Sequence, residues 1–405
     1  MKSETRIVAS LSIIVFSVML GLTIIAPVLP LYVKSFGASD TMVGALISGF
    51  GAARVIFAVP GGIIAERRNP KMAIMLSLLL IVLASILCGL AKDYWTLFLG
   101  RFLEGMGSAF YVTTSLTVLA MATQSKTRGR SMSLYTGMLL LGSMIGPGLG
   151  GFAAYLWGLN APFFLYALIV GVGMVWAHFE LNLPGERWNM KNRQGHISFD
   201  EVGKLIKNPS LFFVNIATFA LFFVRAGITS TVVPLYAYAN LNLDEATLGA
   251  ILTITSLFTF LVMTPAGSLS DKYGRKPFMM LCLIMTALTV YFIPDVESIG
   301  SFWIVMTGYG ATLGLSGPMV AWVADLTPTG MMGTSMGVYR MIGDLGFLFG
   351  PLMLGYLTDV SKTSTIQPLP FQFTSILMII SVLILIRVKD PTSQARDKIK
   401  RQKLL

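Results

Sequence analysis

The sequence predicts an all-α membrane protein in which twelve transmembrane helices form two similar six-helix bundles. Three observations support this prediction. The 405 residues are 55% hydrophobic and 12% charged, whereas a soluble domain carries about 25% charged residues. Apolar segments of membrane-spanning length recur along the chain, and residues of the first half recur in the second at a nearly constant offset. So few charges cannot cover a water-exposed surface.

Each half contains six apolar segments long enough to cross a bilayer, since a transmembrane helix needs about 20 residues. We number them spans 1 to 12. In the first half they cover residues 8–33, 41–65, 72–91, 94–122, 131–155 and 159–180. In the second half they cover residues 211–237, 246–270, 277–293, 299–325, 333–358 and 367–387. The first segment is too long for a cleaved signal sequence and is interpreted as a span.

Basic residues are distributed unevenly between the two sides of this predicted bundle. Of the 30 Lys and Arg, 23 lie on the side that holds both termini, 3 lie on the other side and 4 lie inside spans. Because cytoplasmic loops carry the excess of positive charge, both termini are expected in the cytoplasm, with the spans in the cell membrane. The net charge of +11 is attributed to these membrane flanks, and no nucleic-acid partner is expected.

Four regions follow from this map: an N-terminal bundle at 1–181, a linker at 182–209, a C-terminal bundle at 210–388 and a basic tail at 389–405. Ser198 and Glu201 match a capping box. They predict a short amphipathic helix in the linker, lying on the membrane surface. Cys88 and Cys282 have neither metal-ligand spacing nor a disulfide pattern, so no metal site and no cofactor is expected.

The repeat is visible in matching tripeptides and dipeptides. Pro30-Leu31-Tyr32 recurs as Pro234-Leu235-Tyr236, and Gly146-Pro147 recurs as Gly350-Pro351, both at an offset of 204. Matches in chain order at constant offset indicate a parallel duplication.

Two loops and two spans carry denser motifs. After span 8 come Gly267, Asp271, Lys272, Gly274, Arg275 and Lys276, and after span 2 come Gly62, Glu66, Arg67 and Lys71, with Asn69 and Pro70 in place of Gly and Arg. Span 4 holds Arg101, Glu104, Gly105 and Gly107, and span 5 holds Gly142, Gly146, Pro147, Gly150 and Gly151. Glycines allow close helix packing, while the fixed charges suit an anionic leaflet and a helix end.

At these motifs the chain resembles the major facilitator superfamily and, within it, the twelve-span proton-coupled drug antiporters. The resemblance implies a monomeric secondary transporter, without enzymatic activity, that moves a small-molecule substrate through a bilayer by alternating access. It implies that the proton gradient drives transport, that the two loops act as gating latches, and that the span 5 glycines mark an antiporter. Transport of a sugar, an organic anion or another metabolite is the alternative.

Six charged residues inside spans need a partner or a function, because an ionisable group at mid-bilayer costs about 2.5–3.5 kcal/mol. Arg101 with Glu104, and Arg340 with Asp344, each share a helix face. Burial favours the neutral carboxyl while a close arginine favours the ionised one, so both pairs are predicted sites of proton coupling or charge compensation. A structural ion pair is the alternative. The acid that such antiporters often carry in span 1 is absent from residues 20–31.

The remaining candidates concern substrate binding in a central cavity. Arg54 and Arg225 have no acid on their own helix, and Arg225 could attract an anionic or carbonyl-bearing substrate, or else bind helix carbonyls. Aromatic candidates for the cavity wall are Tyr111, Phe222, Tyr236, Tyr309 and Tyr339. Helix packing is the alternative use of these rings.

Overall fold

The structure is a computed structural model that describes residues 2–67, 69–123, 127–181, 203–205, 207–328, 331–361 and 365–388. Within these ranges every regular element is helical, and eleven helices are long and apolar enough to cross a membrane. The predicted all-α membrane fold is confirmed. Most of the predicted linker helix and the whole basic tail lie outside the described residues.

The first six spans agree closely with the apolar segments. Span 1 comprises Lys2–Ile24 and, after a turn, Leu29–Lys34, and spans 2 to 6 comprise Asp40–Arg67, Pro70–Gly89, Tyr94–Ala122, Arg128–Trp157 and Ala161–Glu180. Capping residues explain several starts. The Asp93 side chain accepts hydrogen bonds from the backbone and hydroxyl of Thr96 at the start of span 4, which satisfies free backbone donors there. These hydrogen bonds lower the pKa of Asp93.

The second six spans contain two irregular segments. Span 7 comprises Pro209–Val224, a π-helical segment Arg225–Val232 and Val233–Leu241, and spans 8, 9, 11 and 12 comprise Glu245–Tyr273, Arg275–Phe292, Met332–Ser361 and Leu369–Ile386. Span 10, predicted as one helix, is instead two helices, Ile299–Gly314 and Met319–Leu326. Pro318 lacks a backbone N–H and disfavours the helical conformation of the residue before it, which accounts for the break.

Contacts divide the chain into two compact units. One comprises Met1–Gln194 with Val233–Tyr238 and Asn242–Thr253, and the other comprises Gly195–Val232, Ala239–Leu241 and Ile254–Leu405. In the first unit span 1 packs on span 5, span 2 on span 4, and span 3 on span 6. In the second unit span 7 packs on span 11, span 8 on span 10, and span 9 on span 12. The same three pairings in each unit are those expected of a duplicated bundle.

Candidate functional site

Span 4 carries an ion pair in the interior of the first unit. The side chains of Arg101 and Glu104, three residues apart on one helix, form a hydrogen-bonded pair. Ser85 of span 3 donates a second hydrogen bond to the Glu104 carboxylate, with Oγ 2.7 Å from Oε1. The Arg101 guanidinium lies 4.7 Å from the centre of the Phe50 ring of span 2. Glu104 is fully buried and Arg101 is 4% exposed, so the predicted pair has partners from two further helices.

Tyr166 of span 6 lies beside this pair and interacts electrostatically with both of its members. Its hydroxyl is buried without a hydrogen-bond partner in the described part of the chain, and so is Nε of Arg101. Its ring occupies the space beside Gly21, where an added Cβ would lie 1.8 Å from Cδ2 of Tyr166. Buried polar atoms normally have partners. The Glu104 cluster, comprising Ser85, Arg101, Glu104 and Tyr166, therefore keeps unused hydrogen-bonding capacity beside its carboxylate.

In the second unit Arg225 lies where span 7 becomes π-helical. Its Nη2 donates a 3.0 Å hydrogen bond to Oγ of Ser316, which lies in the break of span 10. One turn along span 7, the hydroxyl of Thr229 is 2.8 Å from that of Tyr309. The two irregular segments are thus joined by polar side chains, and π-turns of this kind are frequent at functional sites.

Span 11 carries Arg340 and Asp344 one helical turn apart. Asp344 is 6% exposed and Arg340 is half-buried. The helix packs closely on span 7, because an added Cβ at Gly343 would lie 3.2 Å from the Phe222 ring, and one at Gly350 would lie 2.5 Å from the carbonyl oxygen of Phe223. The structure therefore places Asp344 on the helix that packs beside Arg225, and its role in proton coupling stays a prediction.

Three glycines of span 5 form a face against span 1. Added Cβ atoms would lie close to backbone carbonyl oxygens of span 1, at 2.6 Å for Gly142, 2.7 Å for Gly146 and 1.7 Å for Gly150. Since real Cβ atoms do not approach oxygen so closely, only glycine permits this packing.

The opposite side of span 5 contacts the beginning of span 8, within the same unit. An added Cβ at Gly151 would lie 2.1 Å from the Glu245 carbonyl oxygen and 3.0 Å from Cα of Gly249. An added Cβ at Gly249 would lie 2.6 Å from the carbonyl oxygen of Pro147. The predicted antiporter helix therefore has two glycine faces, each in backbone contact with another span.

The loop after span 8 is held by Arg275. Its guanidinium forms ion pairs with Asp271, at 2.5 Å, and with Asp325 at the end of span 10, at 3.1 Å. Gly274 has φ +103°, a conformation that L-residues with side chains rarely adopt. Nζ of Lys276 donates hydrogen bonds to the carbonyl oxygens at the end of span 12. This predicted latch therefore connects spans 8, 9, 10 and 12.

Two other predicted members of this loop make weaker connections. An added Cβ at Gly267 would meet nothing within 4 Å in the described structure, so the close helix packing expected there is not seen. Lys272 lies 5.5 Å from the centre of the Tyr273 ring and is exposed.

The loop after span 2 is shorter than predicted, because the helix continues to Arg67. The side chains of Glu66 and Arg67, and the surroundings of Gly62, lie outside the described part. Asn69 caps span 3, with its Oδ1 3.0 Å from the amide nitrogen of Lys71. Nζ of Lys71 donates a 2.7 Å hydrogen bond to the carbonyl oxygen of His178. The two departures from the motif, Asn69 and Pro70, thus form the start of a helix.

The aromatic candidates divide into two groups by exposure. Tyr111, Tyr236 and Tyr309 are essentially fully buried, which favours helix packing for these three. Phe222 and Tyr339 are partly exposed, and their rings meet edge to face at 6.5 Å. Arg54 is half-buried in span 2 of the first unit.

A family model described as the Major Facilitator Superfamily matches residues 11–238 and 215–404. The chain belongs to the Major Facilitator Superfamily. Multidrug resistance protein 2 of Bacillus subtilis (strain 168) is 26% identical over 374 residues, which cover 91% of each chain. Multidrug resistance protein 1 of the same organism is 25% identical, with 93% of this chain and 94% of the relative covered. A crystal structure of the nucleoside transporter NupG has a TM-score of 0.80 at 12% identity, covering 94% of this chain and 99% of that one.

This facilitator is therefore an integral membrane transporter. Several of its interior contacts cannot be predicted from its sequence. Ser85, Tyr166 and Ser316 approach the predicted arginines and carboxylate from other spans, which no pattern within one helix can indicate. One sequence feature does indicate that Ser316 lies at a break in its helix. Ser316 precedes Gly317-Pro318, a dipeptide typical of a chain break.

Proposed function

We propose that this facilitator exports small, largely apolar solutes in exchange for protons, by alternating access. The observation that carries the proposal is the fully buried Glu104 carboxylate, held by Arg101 and Ser85 inside the first unit. The relatives named as multidrug resistance proteins support export as the direction. Both termini are proposed to lie in the cytoplasm, on the basic side of the bundle.

Glu104 has the physical properties of a proton carrier. When ionised, the carboxylate is stabilised by Arg101 and by the Ser85 hydroxyl, which offset the cost of a charge in the membrane. When a proton binds, the attraction to Arg101 is lost, and the arginine is left as a buried cation. The guanidinium must then find another partner, so proton binding favours a different arrangement of the surrounding helices. This is the coupling that an antiporter requires.

Asp344 is the second candidate for proton transfer, in the other unit. It is nearly fully buried on span 11, next to the glycine that packs on Phe222. Substrate and proton could influence each other through this helix, because span 11 packs on the segment of span 7 that carries Arg225.

An antiporter must also prevent leakage when no substrate is bound. The two glycine faces of span 5 bring its backbone close to that of span 1 and to the start of span 8, and we propose that these close contacts limit the passage of water and protons. We propose that the contact of Gly151 with Gly249 opens and closes during transport, and that the Arg275 ion pairs act as the latch at the other membrane surface.

The proposal can be tested in proteoliposomes that contain a trapped pH-sensitive dye and carry an imposed pH gradient. Addition of a lipophilic dye substrate is expected to dissipate the gradient with the parent protein and with Asp295→Asn, a control at an exposed carboxylate. Glu104→Gln is expected to abolish the proton flux, and Asp344→Asn to reduce it. If substrate never changes the gradient, and both variants transport at the parental rate, proton antiport is wrong.

A further inference from the structure

The membrane-embedded part of the second unit contains an arginine, Arg225, that has no acidic partner in the part of the chain that the structure describes. Arg225 follows Pro209 by 16 positions and precedes Leu241 by 16 in the span that they bound, so it lies at the middle of span 7. Among the described residues none of the ion pairs within 4.0 Å involves Arg225. A cation at this depth is costly and normally paired.

The hydrogen bonding of Arg225 is also incomplete. A guanidinium has five N–H donors, and in the described structure Arg225 makes one hydrogen bond, to Ser316. That contact directs the side chain toward span 10 within the unit. Arg225 is half-buried, so part of its side chain remains accessible, and its other N–H groups, which make no hydrogen bond among the described residues, could bind a ligand.

Aromatic side chains lie near the Arg225 guanidinium. Phe222 precedes Arg225 by one helical turn, and its ring meets that of Tyr339. Tyr339 lies on span 11, which packs on the segment of span 7 that carries Arg225, and Tyr309 is hydrogen-bonded to Thr229, one turn further along span 7. A planar guanidinium beside partly exposed aromatic rings suits a ligand that has an aromatic body and a planar acceptor group, because arginine binds carboxylates with two parallel hydrogen bonds.

Comparison of the two halves of the chain shows that helix packing at the position of Arg225 does not require a cation. The counterpart of Arg225 in the first half is Gly21, and the space beside it is filled by Tyr166. At the equivalent position of the first bundle, the helices therefore pack around an uncharged tyrosine ring. The arginine is a specific addition to the second unit.

We propose that Arg225, with Ser316, Phe222 and Tyr339, binds the carboxylate of aromatic organic acids, and that such amphiphilic anions are the substrate class of the transporter. This inference rests on the proposed export by proton exchange. The chemistry agrees with that direction, because an anion moving out and a proton moving in both follow a membrane potential that is negative inside. Ser316 orients the guanidinium, and the rings hold the aromatic body.

Binding of three related compounds to the purified full-length protein in nanodiscs tests the proposal. Naphthoate, methyl naphthoate and naphthylmethylamine share one ring system and carry an anion, a neutral ester and a cation. Parent protein is expected to bind naphthoate about tenfold or more tighter than the ester, the value for hydrogen bonds to a charged group. Arg225→Gln is expected to remove this preference by weakening naphthoate binding alone. Arg130→Gln, at an exposed arginine, is the matched control and should keep it.

The ester serves as an internal control for folding, since Arg225→Gln should bind it within about twofold of the parent. If Arg225→Gln binds neither ligand, the Arg225→Lys variant is measured instead. A preference of Arg225→Lys for naphthoate over the ester supports the proposed site, and the absence of this preference overturns the proposal. Equal binding of acid and ester by the parent, or tightest binding of the amine, also overturns the proposal.

A proton-flux assay on the same protein separates this inference from the proposed function. Naphthoate that binds through Arg225 but never exchanges for protons would overturn proton antiport and leave the binding site intact. Proton exchange driven by a lipophilic cation, without any preference for acids, would overturn the substrate class and leave antiport intact.

Discussion

The hydroxyl of Ser85 on span 3 donates a 2.7 Å hydrogen bond to the carboxylate of Glu104 on span 4. This contact joins a neutral residue near the end of one helix to a buried acid that already has an arginine partner on its own helix. Because both atoms are buried, the hydrogen bond contributes to the stability of the unit as well as to the position of the carboxylate. Loss of the hydroxyl should therefore be detectable in two ways.

Ser85→Ala is expected to lower the free energy of unfolding by about 1–3 kcal/mol, the range for removing a partner of a buried charged group. Ser77→Ala is the control on the same helix, because Ser77 is also buried but, among the described residues, its hydroxyl binds only the carbonyl oxygen of Ala73 in its own helix. Denaturation of both variants in detergent measures the difference. Equal stabilities would show that the Ser85 hydrogen bond has no net effect.

Gly21→Ala should displace the Tyr166 ring, since the new Cβ would lie 1.8 Å from Cδ2. The cost of such overpacking is about 1–3 kcal/mol. Gly137→Ala is the control, because an added Cβ there meets nothing within 4 Å of the described structure. Combining Gly21→Ala with Tyr166→Leu should restore part of the lost stability, as coupled neighbours are not additive. Additive losses in a thermal melt would contradict the contact.

Gly151→Val should disturb the contact of span 5 with the start of span 8, where its Cβ would lie 2.1 Å from a carbonyl oxygen. We expect proteoliposomes that contain this variant to lose a pH gradient faster than those with the parent, in the absence of substrate. Gly171→Val, at a glycine of span 6 with open space around its Cβ position, should leave the gradient unchanged. If the pH gradient is equally stable with both variants, the contact of Gly151 with span 8 does not prevent proton leakage.

Arg275→Gln should weaken the latch without greatly destabilising the protein. It breaks ion pairs to Asp271 and Asp325, whose side chains are 64% and 38% exposed while that of Arg275 is 11% exposed, and pairs with a solvent-exposed partner contribute about 0.2–1 kcal/mol each. Transport should therefore change more than melting temperature. A large fall in melting temperature at the parental transport rate would show that Arg275 is structural.

The Asp93 cap at the start of span 4 should make the stability of the folded protein depend on pH. The hydrogen bonds from Thr96 lower the pKa of this carboxyl in the folded protein, so its stabilising effect is complete above the unfolded pKa of about 3.9. The effect is lost as pH falls through the folded pKa, where both states bind the proton. Asp93→Ala should accordingly melt below the parent at neutral pH and approach it in acid. A constant difference would contradict this assignment.

The sequence was sufficient for the span positions and insufficient for their interior geometry. Span 4 was predicted at 94–122 and is observed at Tyr94–Ala122, because hydropathy and length determine what can cross a bilayer. The break in span 10 was not predicted, because hydropathy averaged over a whole span does not reveal a single Gly-Pro dipeptide. The neighbours of Glu104 were also missed, because Ser85 and Tyr166 come from other helices and are brought close only by packing.

The role of Glu104 in proton coupling is tested most directly by measuring the release of protons when substrate binds to purified protein in weakly buffered detergent solution. An exported solute is expected to displace protons from the parent protein and from Asp295→Asn, and to displace none from Glu104→Gln. Proton release by Glu104→Gln equal to that of the parent, with unchanged substrate affinity, would contradict the role of this carboxylate in coupling.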